Sequence, residues 1–277
     1  MVNKLTPVLY RVLKEAKDES IIDLCSGSFH SFLFAIFYFF FFFELGSGGP
    51  CPTIVELLRK TFSFPVQAML TDISPDLASM ERIASPYVSF ERRSLDATNV
   101  PSHFKGFRTM CSAAHHFTPE ALQAIIQDAV DKGEAIAFFE YTNRNMLSML
   151  LFGIVPIPVA LLFTPLLRPF SFKFLFFTYI IPGTCEKISF FIWVTLFVFS
   201  SAPLLLQTVL PLAYAWDGAV SCLRSYTRKE WRTIIAKVRD SDTYQWEVGR
   251  SGIFPHPIFF VVGIPSSRLG QQPENSS

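Results

Sequence analysis

Three carboxylates follow three short strand candidates in order along the chain: Asp23 in SIIDLC, Asp72 in VQAMLTD, and Asp96 in VSFERRSLDA, a strand with its exit loop. The first is followed by a Gly-Ser turn beginning at Gly27, where a backbone without Cβ atoms can approach a ligand closely. The N-terminus of a helix after such a turn favours polar or anionic groups. A carboxylate at the end of the next strand can accept both hydroxyls of a ribose. One at the end of a third can take the amino group of a base. This order suits an adenosine-containing ligand in the crevice at the carboxyl ends of parallel strands. Two histidines, His115 and His116, follow a fourth run, FRTMCSAA, and Glu140 and Tyr141 close a fifth, EAIAFFEYT. Any of these four can accept a proton or orient a second substrate, with packing or hydrogen bonding as the competing role for the histidines. Cys25 lies inside the turn, but nothing adjacent would lower its thiol pKa, so it reads as a small packing residue.

The elements that must position these residues alternate. CPTIVELLRKT is a helix with Thr53 and Glu56 spaced as a capping box. SPDLASMERIA is a second, with Ser74 as N-cap and Pro75 at the first helical position. TPEALQAIIQDAVDKG runs from Thr118 and Pro119 to Gly133, and TRKEWRTIIAKVRD carries a further capping box in Thr227 and Glu230. Strands and helices in this rhythm imply a parallel sheet with helices on both faces. TYQWEVGRSG and PIFFVVGIP read as an antiparallel pair, and 266–277 as a disordered tail.

The glycine turn is interrupted. Between Gly27 and Gly48 lies a phenylalanine-rich block, 28–46, whose apolar stretch falls short of the about 20 residues that span a bilayer. Phenylalanine codons are TTT and TTC, and pyrimidine tracts precede the 3′ ends of introns. The block therefore reads as a retained-intron translation, with 183–208 as a second and weaker case; sequencing the mature transcript tests both. Without 28–46 the chain reads DLCSGSGGP.

With LTD, LDA and SAAHHF following in order, that stretch resembles the class I S-adenosylmethionine-dependent methyltransferases. The closing strand pair is similar to the sixth and seventh strands of their fold. The resemblance covers most of 20–145 and 219–265. It implies a Rossmann-like, doubly wound α/β sheet with an antiparallel last strand, and S-adenosyl-L-methionine as cofactor. It also implies Asp23, Gly27, Gly48 and Gly49 near the methionine part, Asp72 on the ribose, and Asp96 with Ala97 at the adenine. No metal is expected, and the methyl acceptor is left as an unknown small molecule.

Composition bounds the partners. A formal net charge of +1 over 277 residues offers no basic face for a polyanion, so nucleic acid is not expected. The five cysteines are scattered without a CxxC pair, which fits neither a zinc site nor a disulfide framework. The first twenty residues are amphipathic and lack the apolar core of a secretory signal. The chain divides by pattern into 1–145, an apolar 146–216, a return to the sheet over 217–265, and the tail. Segment 146–167 is uncharged and has bilayer-crossing length. It predicts a membrane-associating helical insertion, spanning or monotopic. The flanking positive charges are Arg144, Arg168, Arg224, Arg228, Lys229 and Arg232; most adjoin the remaining domain and put it on the cytoplasmic side. The acceptor is then expected to be lipophilic or lipid-like. The rival is a membrane protein whose methyltransferase-like domain is degenerate and non-catalytic. AWDGAVSCLRSY (215–226) reads equally as an interfacial Asp-Gly turn or as a lid over the crevice.

Overall fold

The computed structural model describes residues 2–26, 49–155, 215–252 and 257–269. The chain falls into two units, Met1–Asn143 with Arg224–Ser277, and Arg144–Leu223. The first unit opens with helix α1 (Val2–Ala16) and continues through β1 (Ser20–Asp23), α2 (Cys51–Phe62), β2 (Gln67–Leu70), α3 (Leu77–Ile83), β3 (Val88–Phe90), β4 (Phe107–Cys111), α4 (Pro119–Asp131) and β5 (Ile136–Glu140). After the second unit come α5 (Arg228–Ile235), β6 (Tyr244–Ser251), β7 (Ile258–Pro265) and a short α6 (Ser266–Leu269).

The described strands form one seven-stranded sheet in the order β3-β2-β1-β4-β5-β7-β6. β1 to β5 are parallel, and β7 runs antiparallel to both β5 and β6. This is the Rossmann-like doubly wound sheet of class I methyltransferase type, with its reversed last strand. Successive strand side chains point to opposite faces, so neighbours divide between two cores. Ile21, Phe107 and Phe139 pack with Leu5, Leu9 and Leu13 of α1 and Ile54 and Leu58 of α2. Ile22, Met110 and Phe138 pack with Ile125 and Ile126 of α4 and Trp231 and Ile234 of α5. Burial on both faces is why these strands read as unbroken apolar runs. β1 pairs with β2 on one side and β4 on the other, so the connection reverses there and opens a crevice at the carboxyl ends.

Helix starts follow local chemistry. Thr118 accepts a hydrogen bond from the Ala121 amide, and Thr227 and Glu230 form the expected capping box. Helix α2, however, begins two residues before Thr53, after Pro50, because a proline in the first turn is already set to helical φ. Helix α3 begins at Leu77, not Ser74, because the Asp72 carboxylate captures the Ser74 amide in a turn of its own.

In the second unit, Met146–Met149 is a single α-helical turn and Leu150–Ile154 a π-helical one. Residues 215–224 form a helix, so Asp217-Gly218 is not a turn, one of the two readings of that stretch. A Cβ on Gly218 would lie 2.6 Å from the Phe152 carbonyl oxygen, so the glycine is what lets this helix meet the backbone of the π-helical turn. Among the described residues no helix is long and apolar enough to cross a membrane. That corrects the expected membrane-spanning insertion, and with it the membrane as a partner and the placement of the domain on its cytoplasmic side. The described start of the segment is one α-helical turn followed by a π-helical one, far short of the about 20 residues a span needs. Segments 156–214, which include 183–208, and the block 28–46 lie outside the described residues.

Candidate active site

The carboxyl end of β1 is tied to both neighbours. The Leu24 amide donates to the Thr109 carbonyl at 2.7 Å, Ser26 to the Thr71 carbonyl at 2.9 Å, and Thr71 to the Asp23 carbonyl at 2.9 Å. Asp23 is 2% exposed. Its Oδ1 accepts from the Thr109 hydroxyl at 2.6 Å and its Oδ2 from the Ser26 hydroxyl at 2.8 Å. Burial pushes this carboxyl up to about 6, against the pull of the two hydroxyls, with the charge of Asp72 adding to the rise. Asp23 thus braces the turn from within.

The turn brings Cys25 round in a left-handed conformation, φ 59°. Burial pushes its thiol up to about 12, and the negative charges of Asp72, Asp23 and Asp96 push in the same direction. Cys25 itself is half-buried. It is held as the neutral thiol and is no nucleophile. Asp72 accepts the Ser74 amide at 2.8 Å through Oδ1; Asp96 accepts the Thr98 amide and hydroxyl, both at 2.8 Å, through its own Oδ1. Each leaves Oδ2 without a partner among the described residues. The Leu95 amide donates to the Asp72 carbonyl at 2.8 Å and joins the two loops. Ala97 is buried beside Leu95 and Val100. Gly49 has φ 66°, with open space where a Cβ would stand. Gly27 and Gly48 lie outside the described residues.

Beyond β4 the backbone turns through Ser112, φ 51°, into a 3-10 turn, Ala114–His116. His115 is buried, and its Nδ1 lies 2.9 Å from Glu140 Oε2 at the end of β5. Glu140 Oε1 accepts the Ala114 amide at 2.8 Å, so one carboxylate fixes both the ring and the turn. His116 is exposed, its ring 4.2 Å from that of His115. Tyr141 is half-buried, and burial raises its phenol. Burial likewise raises the Cys111 thiol at the end of β4, with Asp23 and then Glu140 adding to the effect. The strap returning to α5 is fastened over the same ends. The Tyr226 hydroxyl donates to the Phe117 carbonyl at 2.7 Å, and Ser225 and Thr142 share a hydroxyl hydrogen bond of 2.8 Å.

The sequence reading missed several of these residues. Thr71 and Thr109 look like ordinary strand threonines, and only their place beside Asp23 gives them a role. Ser112 has a buried hydroxyl without a partner, and no residue pattern flags it. Tyr226 was noted within AWDGAVSCLRSY; the phenylalanine carbonyl that it holds was not foreseeable.

No protein-family model and no curated protein matches the chain. Among solved structures, the chain is similar to the methyltransferase domain of bacterial CtHen1, with 14% identity, a TM-score of 0.48, and 95% of this chain and 100% of that one covered. It is similar to the plantazolicin methyltransferase BamL, solved with a triazolic desmethylPZN analog and SAH, at 11% identity and a TM-score of 0.48, with 94% and 84% covered. It is also similar to a Zn-dependent alcohol dehydrogenase from Rhodobacter sphaeroides, at 10% identity and a TM-score of 0.42, with 90% and 84% covered. Each is a likeness of fold, and none locates a ligand or a reaction.

Proposed function

We propose that the chain is an S-adenosylmethionine-dependent methyltransferase acting on a small-molecule acceptor. The observation that carries this is the order of the carboxylates at the carboxyl ends of adjacent strands: Asp23 ends β1 at the reversal point of the sheet, Asp72 follows β2, and Asp96 follows β3 on a loop joined to that of Asp72 by the Leu95 amide. The residues fit the cofactor: Asp72 and Asp96 each keep one carboxylate oxygen for a ligand, on the ribose and the adenine side respectively, with Ala97 beside the latter. The open face of Gly49 leaves room for close approach of a ligand to the backbone. Gly27 and Gly48 complete the cradle in this reading. Asp23, with both oxygens taken, shapes the turn and supplies a buried negative charge near the cationic methionine part.

When bound, the cofactor supplies an electrophilic methyl group on a sulfonium sulfur. The chain's own contribution is placement, which can be worth several powers of ten when the reacting atoms are held in line. The expected lipophilicity of the acceptor rested on the membrane reading and goes with it.

Calorimetric titration of the full chain and of a variant lacking 28–46 with S-adenosylmethionine and S-adenosylhomocysteine tests the reading. Asp72→Ala removes a charged hydrogen-bond acceptor, worth about 1.5–3 kcal/mol, and is expected to weaken binding about 10- to 100-fold. Binding to neither protein, or binding indifferent to Asp72→Ala, overturns it.

A further inference from the structure

Resting on that reading, we propose that His115, held by Glu140, is the base that takes a proton from the acceptor, and that the acceptor is a hydroxyl compound of phenolic or enolic acidity. Glu140 Oε1 is committed to the Ala114 amide, so Oε2 faces His115 Nδ1. An ionised carboxylate only accepts, which puts the imidazole proton on Nδ1 and the lone pair on Nε2. Nε2 has no hydrogen-bond partner among the described residues, yet it is not one of the unpartnered atoms sealed from solvent. The one basic lone pair of the couple is thus the atom left accessible, at the ends of β4 and β5, and β4 adjoins the carboxylate turn through the Thr109–Asp23 hydrogen bond. Among the described residues, the ionisable groups on the same turn and on the elements that adjoin it are His116, Cys111 on β4, Tyr141 directly after Glu140, and Tyr226, whose hydroxyl is engaged at Phe117.

A built base narrows the acceptor. An amine binds with its lone pair once solvent has removed a proton, and a thiol ionises in water near pH 8.5, roughly. A hydroxyl oxygen is a poor nucleophile until its proton leaves. Imidazole, ordinarily near pKa ~6.5, is matched to hydroxyls far more acidic than aliphatic alcohols. In the step, the O–H proton passes to Nε2 and the oxygen electron pair forms the new C–O bond. The C–S bond breaks with its pair remaining on sulfur, which becomes a neutral thioether. The imidazolium, balanced by Glu140, then returns its proton to solvent.

Two variants test this in the full chain. Glu140→Gln keeps a carbonyl oxygen for the Ala114 amide and turns an NH2 toward Nδ1, which drives the ring proton to Nε2 and blocks the base without removing it. Nitrogen-15 NMR of labelled histidine is expected to show a bare Nε2 for His115 in the native chain and a protonated one in Glu140→Gln. The second readout is the absorbance of 4-nitrophenol bound in the presence of S-adenosylhomocysteine. At pH 6 the native chain is expected to bind it as phenolate, with the phenolate fraction falling about tenfold or more in His115→Gln, one pK unit or beyond. A native Nε2–H, no 4-nitrophenol binding, or equal ionisation in native chain and variant overturns the base. If S-adenosylhomocysteine binding is intact in those cases, the cofactor reading stands. Absence of S-adenosylhomocysteine binding from both the full chain and the variant lacking 28–46 overturns the methyltransferase reading instead.

Discussion

Replacing Asp23 with Asn is expected to stabilise the protein at neutral pH and to flatten its pH dependence. The folded chain holds this carboxyl at about 6, against an ordinary aspartate value of about 3.9 in the unfolded chain. Between those values the folded state binds more protons than the unfolded one, so stability falls as pH rises. The contribution is fully present below about pH 4 and lost above about pH 6. About two pK units correspond to about 3 kcal/mol, an order-of-magnitude figure for a fully buried group. Asparagine can still accept from the Thr109 hydroxyl and donate to that of Ser26, so the brace survives while the ionisation cost disappears. Urea unfolding followed by fluorescence, at half-unit steps from pH 4 to 8, gives the difference between the two proteins at each pH. That difference should grow by up to about 3 kcal/mol in favour of the variant as pH rises, with m unchanged. Asp18, also raised by burial, is common to both and cancels. A variant less stable by the same amount at every pH would refute the reasoning, because Asp23 would then act only through hydrogen bonds. A carboxylate kept at such a cost to stability makes sense if it serves a cationic ligand, so Asp23→Asn should also weaken S-adenosylmethionine binding.

Gly263→Ala puts a methyl group into the ring of Trp246 across the β6–β7 pair and should cost about 1–3 kcal/mol, read as a lower urea midpoint. Thr227→Ala removes the capping box of α5 and should cost about 1 kcal/mol, measurable in the same way, whereas Thr53→Ala, which caps nothing, should cost less. The Cys25 thiol, held up to about 12, should react with iodoacetamide far more slowly in the folded chain than in urea between pH 7 and 9, as mass spectrometry of labelled peptides would show.

What could be read beforehand was whatever depends on neighbours in sequence. Thr118 and Thr227 cap their helices because the cap and its amide are three residues apart. The apolar runs became strands because burial on both faces leaves a continuous signature. Pairings set by sheet order were not legible. His115 and Glu140 are 25 residues apart, and Thr109 and Asp23 are 86 apart; each pair meets because β4 lies between β1 and β5. His115, Glu140 and Asp23 were picked out as separate residues, and nothing in their spacing said that the first two share a proton or that the third is enclosed. Over Met146–Ile154, the described part of the segment read as spanning, one α-helical and one π-helical turn follow each other, and hydropathy carries no record of such a change of helix type.

The hydrogen bond between Thr142 and Ser225 closes a loop of the chain that holds the whole second unit. Its two ends are pinned beside one another just past the carboxyl end of β5, an inner strand whose pairing with β4 and β7 does not depend on the length of what lies between. Loop closure cost grows only logarithmically, about 0.6 kcal/mol for each doubling. The segment from Arg144 to Leu223 therefore hangs from a clasp at which sequence can be gained, lost or exchanged with little consequence for folding. A graft or a deletion made there, with Thr142 and Ser225 kept, changes the cargo and leaves the frame.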